Sequence, residues 1–280
     1  MNNDNKIMER LREHYEAALQ LFPADRIVGI FLYGSQNYRL DTPESDIDTK
    51  CVVVPSFKDI CNNAQLVSFT HVLENNEHIE FKDVRLMLGE FLKQNMNFVE
   101  ILFTKYRIVN ERYAPIWDQL VEHNEQIARY DRIRTVRVMA GMASKKFKGM
   151  QHPTKGREAI VAKFGYDPKQ LHHMIRIKLF EEMYTKEVPY AEAMVPPDRE
   201  RSHFVWVKNG GYTAEEAEKV AVTVMRDIYT IADSFAAYAP KEPNRYIETL
   251  LGKVKEEILF VGMKSELQRF ESGRGESHAN

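Results

Sequence analysis

A strand-length apolar run, Arg26 to Tyr33, ends in Gly34-Ser35, and ten residues later a second run, Asp46 to Val54, opens on Asp46-Ile47-Asp48. Strand side chains alternate between faces, so Asp46 and Asp48 project to one side and Ile47 to the other. Two neighbouring carboxylates repel each other unless a cation lies between them. Magnesium takes oxygen ligands and usually binds through a few carboxylates completed by substrate phosphates. A glycine such as Gly34 lets the backbone approach a phosphate closely, and Ser35 adds a hydroxyl beside backbone N–H donors. Either piece alone reads as an ordinary turn or a charged strand start. Together, in this order, they point to a phosphate and divalent-metal site.

The rest of the chain sorts into two parts. Asn5 to Phe22 has helical apolar spacing and stops near Pro23. Strands are expected over Leu66 to Glu74 and His78 to Lys82, with Asp83 as N-cap of a helix over Val84 to Gln94, then a short helix from Phe98 to Phe103. Beyond about residue 105 helical periodicity takes over, at Tyr113 to Glu125, Asp131 to Met150, Pro168 to Tyr184, Thr213 to Tyr238 and Glu242 to Gly262. The expected fold is therefore α+β. Residues 1–105 form a catalytic domain with a small mixed sheet and helices on one face, 106–271 a helical domain, and 272–280 a polar, disordered tail.

A chain of 280 residues, 44% of them hydrophobic, is long enough for a substantial core. Its net charge of −2 gives no global attraction to nucleic acid. Cys51 and Cys61 lack a CxxC or metal-ligand arrangement and read as reduced thiols of a cytoplasmic protein. No apolar run has membrane-spanning length, and Asn2, Asn3 and Asp4 do not resemble a signal peptide. Oligomeric state is not legible.

The Gly-Ser, ten residues, Asp-x-Asp pattern resembles the signature of the DNA polymerase β-like nucleotidyltransferase superfamily. Its fuller form here, GSQNYRLDTPESDIDTK, is similar to the RNA-repair-associated branch described as RlaP- or YcgL-like. Two further stretches resemble that branch: Phe91 to Leu102, FLKQNMNFVEIL, and Lys163 to Arg176, KFGYDPKQLHHMIR. Asn37, Arg39 and Met96 depart from its usual pattern.

The resemblance implies a polymerase β-like domain that transfers a nucleoside monophosphate from a nucleoside triphosphate to a hydroxyl, using two Mg²⁺ ions or Mn²⁺ in their place. Asp46, Asp48 and a third carboxylate would be catalytic and metal-binding. Glu80 is the candidate third carboxylate, in the apolar-flanked strand His78 to Lys82, with Asp83 as its competitor. Gly34 and Ser35 would hold phosphate, and Lys163, Tyr166, Lys169, His173 and Arg176 would bind nucleotide. The implied acceptor is an RNA end. A protein or small-molecule hydroxyl is the alternative, and a non-catalytic nucleotide- or RNA-binding module is a third reading.

A basic helix face, with Arg134, Arg137, Lys145 and Lys148 at helical spacing and Lys155 and Arg157 beyond, suits a phosphate backbone or plain solvent. Trp117, Trp206 and the methionines read as core filling, and His172 as a core or surface residue.

Overall fold

The computed structural model describes residues 3–42, 45–152 and 156–277, with side chains described to residue 271. The chain divides into two compact units. The first comprises Met1–Gln36, Pro43–Ile127 and Asn244–Asn280; the second comprises Asn37–Thr42 and Ala128–Pro243. The division thus differs from the one expected at residue 105. The first unit extends through the helices after the sheet and takes in the C-terminal helix.

In the first unit, α1 (Asn3–Leu19) precedes β1 (Ile27–Tyr33) and β2 (Asp48–Val53). Next come α2 (Phe57–Cys61), β3 (Ser68–Val72), β4 (His78–Asp83), α3 (Val84–Leu92), α4 (Met96–Val99) and β5 (Arg107–Val109). α5 (Ala114–Glu122) and α6 (Asn124–Ala128) follow. The five strands form one mixed sheet in the order β3-β4-β2-β1-β5. Only the β2–β4 pair is parallel. The expected α+β class with a mixed sheet is what the chain forms.

β1 and β2 are buried on both sides, which explains their apolar runs. Ile30, Cys51, Val53, Ile79 and Phe81 form a cluster against Ala18, Tyr15 and Leu19 of α1. Phe31 points the other way and stacks on Trp117 of α5, with ring centroids 4.4 Å apart. Helical cover is therefore not confined to one face. Asp83 caps α3 by accepting from the Arg85 N–H at 2.9 Å, as its position before an apolar helix suggests.

The second unit is helical: α7 (Arg132–Gln151), α8 (Glu158–Phe164), α9 (Pro168–Thr185), α10 (Tyr190–Ala193), α11 (Asp198–Lys208) and α12 (Ala214–Tyr238). α7, α9 and α12 pack on one another. Asp131 caps α7, Asp167 caps α9, and Thr213 with Glu216 forms a capping box on α12. The last helix, α13 (Arg245–Ser277), returns to the first unit, where Gly262 lies close against Val54 and Tyr113. It runs past the expected end at Gly262, so Ser272 to Ser277 are helical rather than a disordered tail, and residues 278–280 lie outside the described residues. Among the described residues no helix is long and apolar enough to cross a membrane.

Candidate active site

The site is built on the ends of β1 and β2. Antiparallel pairing sets Tyr33 opposite Asp48, so the turn that follows Tyr33 lies beside the segment that precedes Asp48. Gly34 takes φ +99°, a conformation that side-chain-bearing residues rarely adopt, and a Cβ there would meet no atom. The Gly34 N–H donates to Oε1 of buried Glu100 at 3.3 Å. The Gln36 side-chain amide donates to the Asp46 carbonyl at 2.8 Å, which ties the turn to the acidic segment. Pro43 and Glu44 in the intervening loop lie outside the described residues.

Ile47 is buried with Ile7, Leu11, Leu32 and Tyr106, whereas Asp46 is exposed and Asp48 half-buried. Burying Ile47 therefore turns the flanking carboxylates away from the core. The Ile47 N–H donates to Glu77 Oε1 at 3.2 Å. Glu77 Oε2 also accepts from the Arg10 guanidinium at 2.6 Å and lies 2.9 Å from His14 Nε2. His14 is fully buried, and its Nδ1 is 2.9 Å from Thr49 Oγ1. Desolvation drives the His14 pKa down, against the pull of Glu77. Arg10, His14 and Glu77 thus clamp the backbone between the two acids. Sequence reasoning missed them because α1 and the β3–β4 turn meet β2 only in three dimensions.

Asp48 Oδ1 accepts from the His78 N–H at 3.0 Å, and the His78 ring Nδ1 lies 3.0 Å from the same oxygen. Its Oδ2 accepts no hydrogen bond among the described residues. Glu80 sits opposite Lys50 in the parallel β2–β4 register. Its carboxylate contacts the Lys50 ammonium and lies 3.4 Å from Lys82 Nζ. Lys50 is buried, with its ammonium 3.9 Å from the Tyr33 ring centroid and 4.1 Å from that of Phe98. Asp83, the competitor to Glu80, is buried and held by Arg85.

Among the described residues no group of three or more His, Cys, Asp or Glu side chains gathers as a metal site. Asp48, oriented by His78 through one oxygen, fits a magnesium ion that draws further ligands from phosphate and water, and exposed Asp46 stands two residues before it on the strand approach. Glu80 does not fit as a ligand, because two ammonium groups already engage it.

The second unit holds the other expected site residues. Asp167, the cap of α9, is doubly bonded to Arg157 at 3.0 and 2.6 Å, so its charge is already matched. Along α9, Lys169 is exposed, His173 half-buried and Arg176 buried, and the Arg176 guanidinium lies 3.9 Å above the ring of Tyr38. His172 and His173 meet edge to face, with ring centroids 5.3 Å apart. Burial, then Arg176, pushes His172 down to about 3 and His173 far below its ordinary range. Lys146 on α7 is lowered by burial and by Lys145, Lys169 and Arg176. These cations crowd one another, an arrangement that favours an anionic ligand.

Tyr166 is buried, and its hydroxyl donates to the Tyr212 carbonyl at 3.2 Å, which gives it a structural partner. Lys163 is exposed, its ammonium 4.8 Å from the Phe164 ring centroid. On α7, Arg134, Arg137, Lys145 and Lys148 are all exposed on the expected face. Arg134 and Arg137 also line a cavity of about 530 Å³ with Asp131, Val138 and Lys241. Lys155 lies outside the described residues.

No family model matches the chain, and no curated protein matches it significantly. Among solved structures, the chain is similar to a nucleotidyltransferase-like protein from Exiguobacterium sibiricum 255-15. The two are 13% identical, with a TM-score of 0.30, over 81% of this chain and 75% of that one. A likeness of that size carries no argument about chemistry.

Proposed function

We propose that this chain is a magnesium-dependent nucleotidyltransferase that moves a nucleoside monophosphate from a nucleoside triphosphate to a hydroxyl, with an RNA end as acceptor. The observation that supports it most is the backbone of Asp46 to Asp48, pinned by Gln36, Glu77 and pairing with Tyr33, so that the acidic segment runs beside the Gly34-Ser35 turn. The resemblance to the polymerase β-like superfamily, and to its RNA-repair-associated branch, adds the reaction type and the acceptor.

A bound magnesium ion would supply charge stabilisation for the transferred phosphoryl group and its leaving pyrophosphate. Asp46 and Asp48 would hold that ion. The Gly34-Ser35 turn offers close backbone approach and the Ser35 hydroxyl to phosphate oxygens. His78 fixes the rotamer of Asp48, and Glu77 fixes the backbone before it. In the second unit, Lys169 and Arg176, joined by Lys146, suit phosphate groups as cations, with His173 beside them as a neutral donor. Residues 1–105 carry the catalytic groups in this reading, and the helical region the phosphate-binding cations. Cys51 is buried and Cys61 exposed, both as free thiols, which supports a cytoplasmic setting.

The test incubates the protein with labelled nucleoside triphosphates, Mg²⁺ and RNA, beside a variant carrying Asp46→Asn and Asp48→Asn. Label on RNA from the wild type alone is the expected result. Equal transfer by both proteins would defeat the assignment, and label on protein alone would move the acceptor to a protein hydroxyl.

A further inference from the structure

Glu80 was the natural third metal ligand, and its surroundings point elsewhere. The parallel register puts Lys50 directly opposite Glu80 on one face of the sheet. Lys50 also follows Asp48 by two positions in β2, so the two share that face. The buried ammonium of Lys50 contacts the Glu80 carboxylate and sits between the rings of Tyr33 and Phe98. Lys82 approaches the same carboxylate and also lies over Phe98, 4.5 Å from its centroid. Burial pulls the Lys50 pKa down, and the Glu80 carboxylate in contact with it opposes that pull.

A buried lysine is costly unless its charge is matched, and two aromatic faces with a carboxylate match it well. Two ammonium groups thus take up Glu80, so of the three expected acids only Asp46 and Asp48 remain for a cation, a pair that suits one divalent ion completed by water and phosphate.

We propose that Lys50 is a resident cation of this site, that Glu80 is the positioning residue that holds it beside Asp48, and that the carboxylates alone bind one divalent ion rather than two. The proposal rests on the nucleotidyltransferase reading and departs from what the superfamily resemblance implies in the role of Glu80 and in the number of ions.

The test is a Mn²⁺ titration of the full chain without nucleotide, followed by electron paramagnetic resonance of the free ion. Wild type, Glu80→Gln, Lys50→Met and Asp48→Asn are compared, with circular dichroism reporting folding. The expected result is one Mn²⁺ per wild-type chain, less than a tenfold change in Glu80→Gln, and loss of binding in Asp48→Asn. Lys50→Met should bind at least fivefold more tightly, because a positive charge beside Asp48 has gone. A loss of tenfold or more in Glu80→Gln, two ions in the wild type, or no tightening in a folded Lys50→Met overturns the proposal while leaving the transferase reading in place. If Lys50→Met does not fold, the ion count and Glu80→Gln decide. A wild type that binds no Mn²⁺ defeats both.

Discussion

His78 holds Asp48 twice, through its backbone N–H and its ring Nδ1, each 3.0 Å from the same carboxylate oxygen. Partners of this kind orient a ligand before the metal arrives, and their removal typically costs about 10- to 100-fold in metal affinity. His78→Ala should therefore weaken Mn²⁺ binding by roughly tenfold or more while leaving the fold intact, since His78 is not a core residue. Calorimetric titration of Mn²⁺ checks it. Unchanged affinity would show that Asp48 does not depend on this clamp.

Gly34 and Gly210 make a matched pair. Both have positive φ, +99° and +81°. A Cβ at Gly34 would meet nothing within 4 Å, whereas one at Gly210 would collide with the ring of Phe164. Gly34→Ala should cost about 1–2 kcal/mol of backbone strain, and Gly210→Ala should cost more because a packed ring must also move. Thermal melts of both variants should rank them in that order. Phosphate binding should fall in Gly34→Ala alone.

Much of the first unit was legible in the sequence. β1 and β2 announce themselves as apolar runs and β4 as a polar–apolar alternation, and Asp83, Asp131 and Thr213 mark helix starts where side-chain capping is found. β5 was missed: three half-buried residues, Arg107–Val109, carry no alternation to read. α2, α8, α10 and α11 were missed as well, being short or weakly patterned. The division into units differs from the expected boundary for another reason. Periodicity shows that α13 has an apolar face and says nothing about which partner covers it, and the six residues Asn37–Thr42 give no local sign that they belong with the second unit. For the site, the carboxylates and the glycine turn were visible as a motif. Their supports Arg10, His14, Glu77, His78 and Glu100 come from three separate stretches of sequence. Glu100 alone had a signal, standing inside the FLKQNMNFVEIL stretch.

The helical unit contains a buried acid with no counterpart. Glu181 on α9 is fully buried, and neither carboxylate oxygen has a hydrogen-bond partner among the described residues. Burial, reinforced by Glu182, raises its pKa from 4.5 to about 9. A carboxyl raised in the folded state is stabilising, relative to the ionised form, below its unfolded pKa, and that contribution is lost as pH rises toward the folded value. Between about pH 4.5 and 9 the wild type should lose up to roughly 1.4 kcal/mol per pH unit relative to Glu181→Gln. Urea melts of both proteins at pH 5, 7 and 8.5 would show it. Parallel pH curves would mean that Glu181 is solvated or paired in solution.

Arg176 gives the phosphate-binding reading its sharpest handle. Its guanidinium stacks on Tyr38, and a lysine there would keep the charge and lose the planar contact. Arg176→Met should weaken ATP binding by about tenfold, roughly 1.4 kcal/mol, and Arg176→Lys should fall between it and the wild type. Fluorescent-nucleotide titration distinguishes the three. Equal affinities would remove Arg176 from the nucleotide site.

The central claim is that Asp46 and Asp48 together grip a divalent ion. Crystals soaked with Mn²⁺ and a non-hydrolysable nucleoside triphosphate, measured for anomalous scattering, address it directly. The expected result is a Mn²⁺ peak about 2.0–2.3 Å from carboxylate oxygens of both residues, with Glu80 still on Lys50. Mn²⁺ found elsewhere, with Asp46 and Asp48 unliganded while nucleotide is bound, would contradict it.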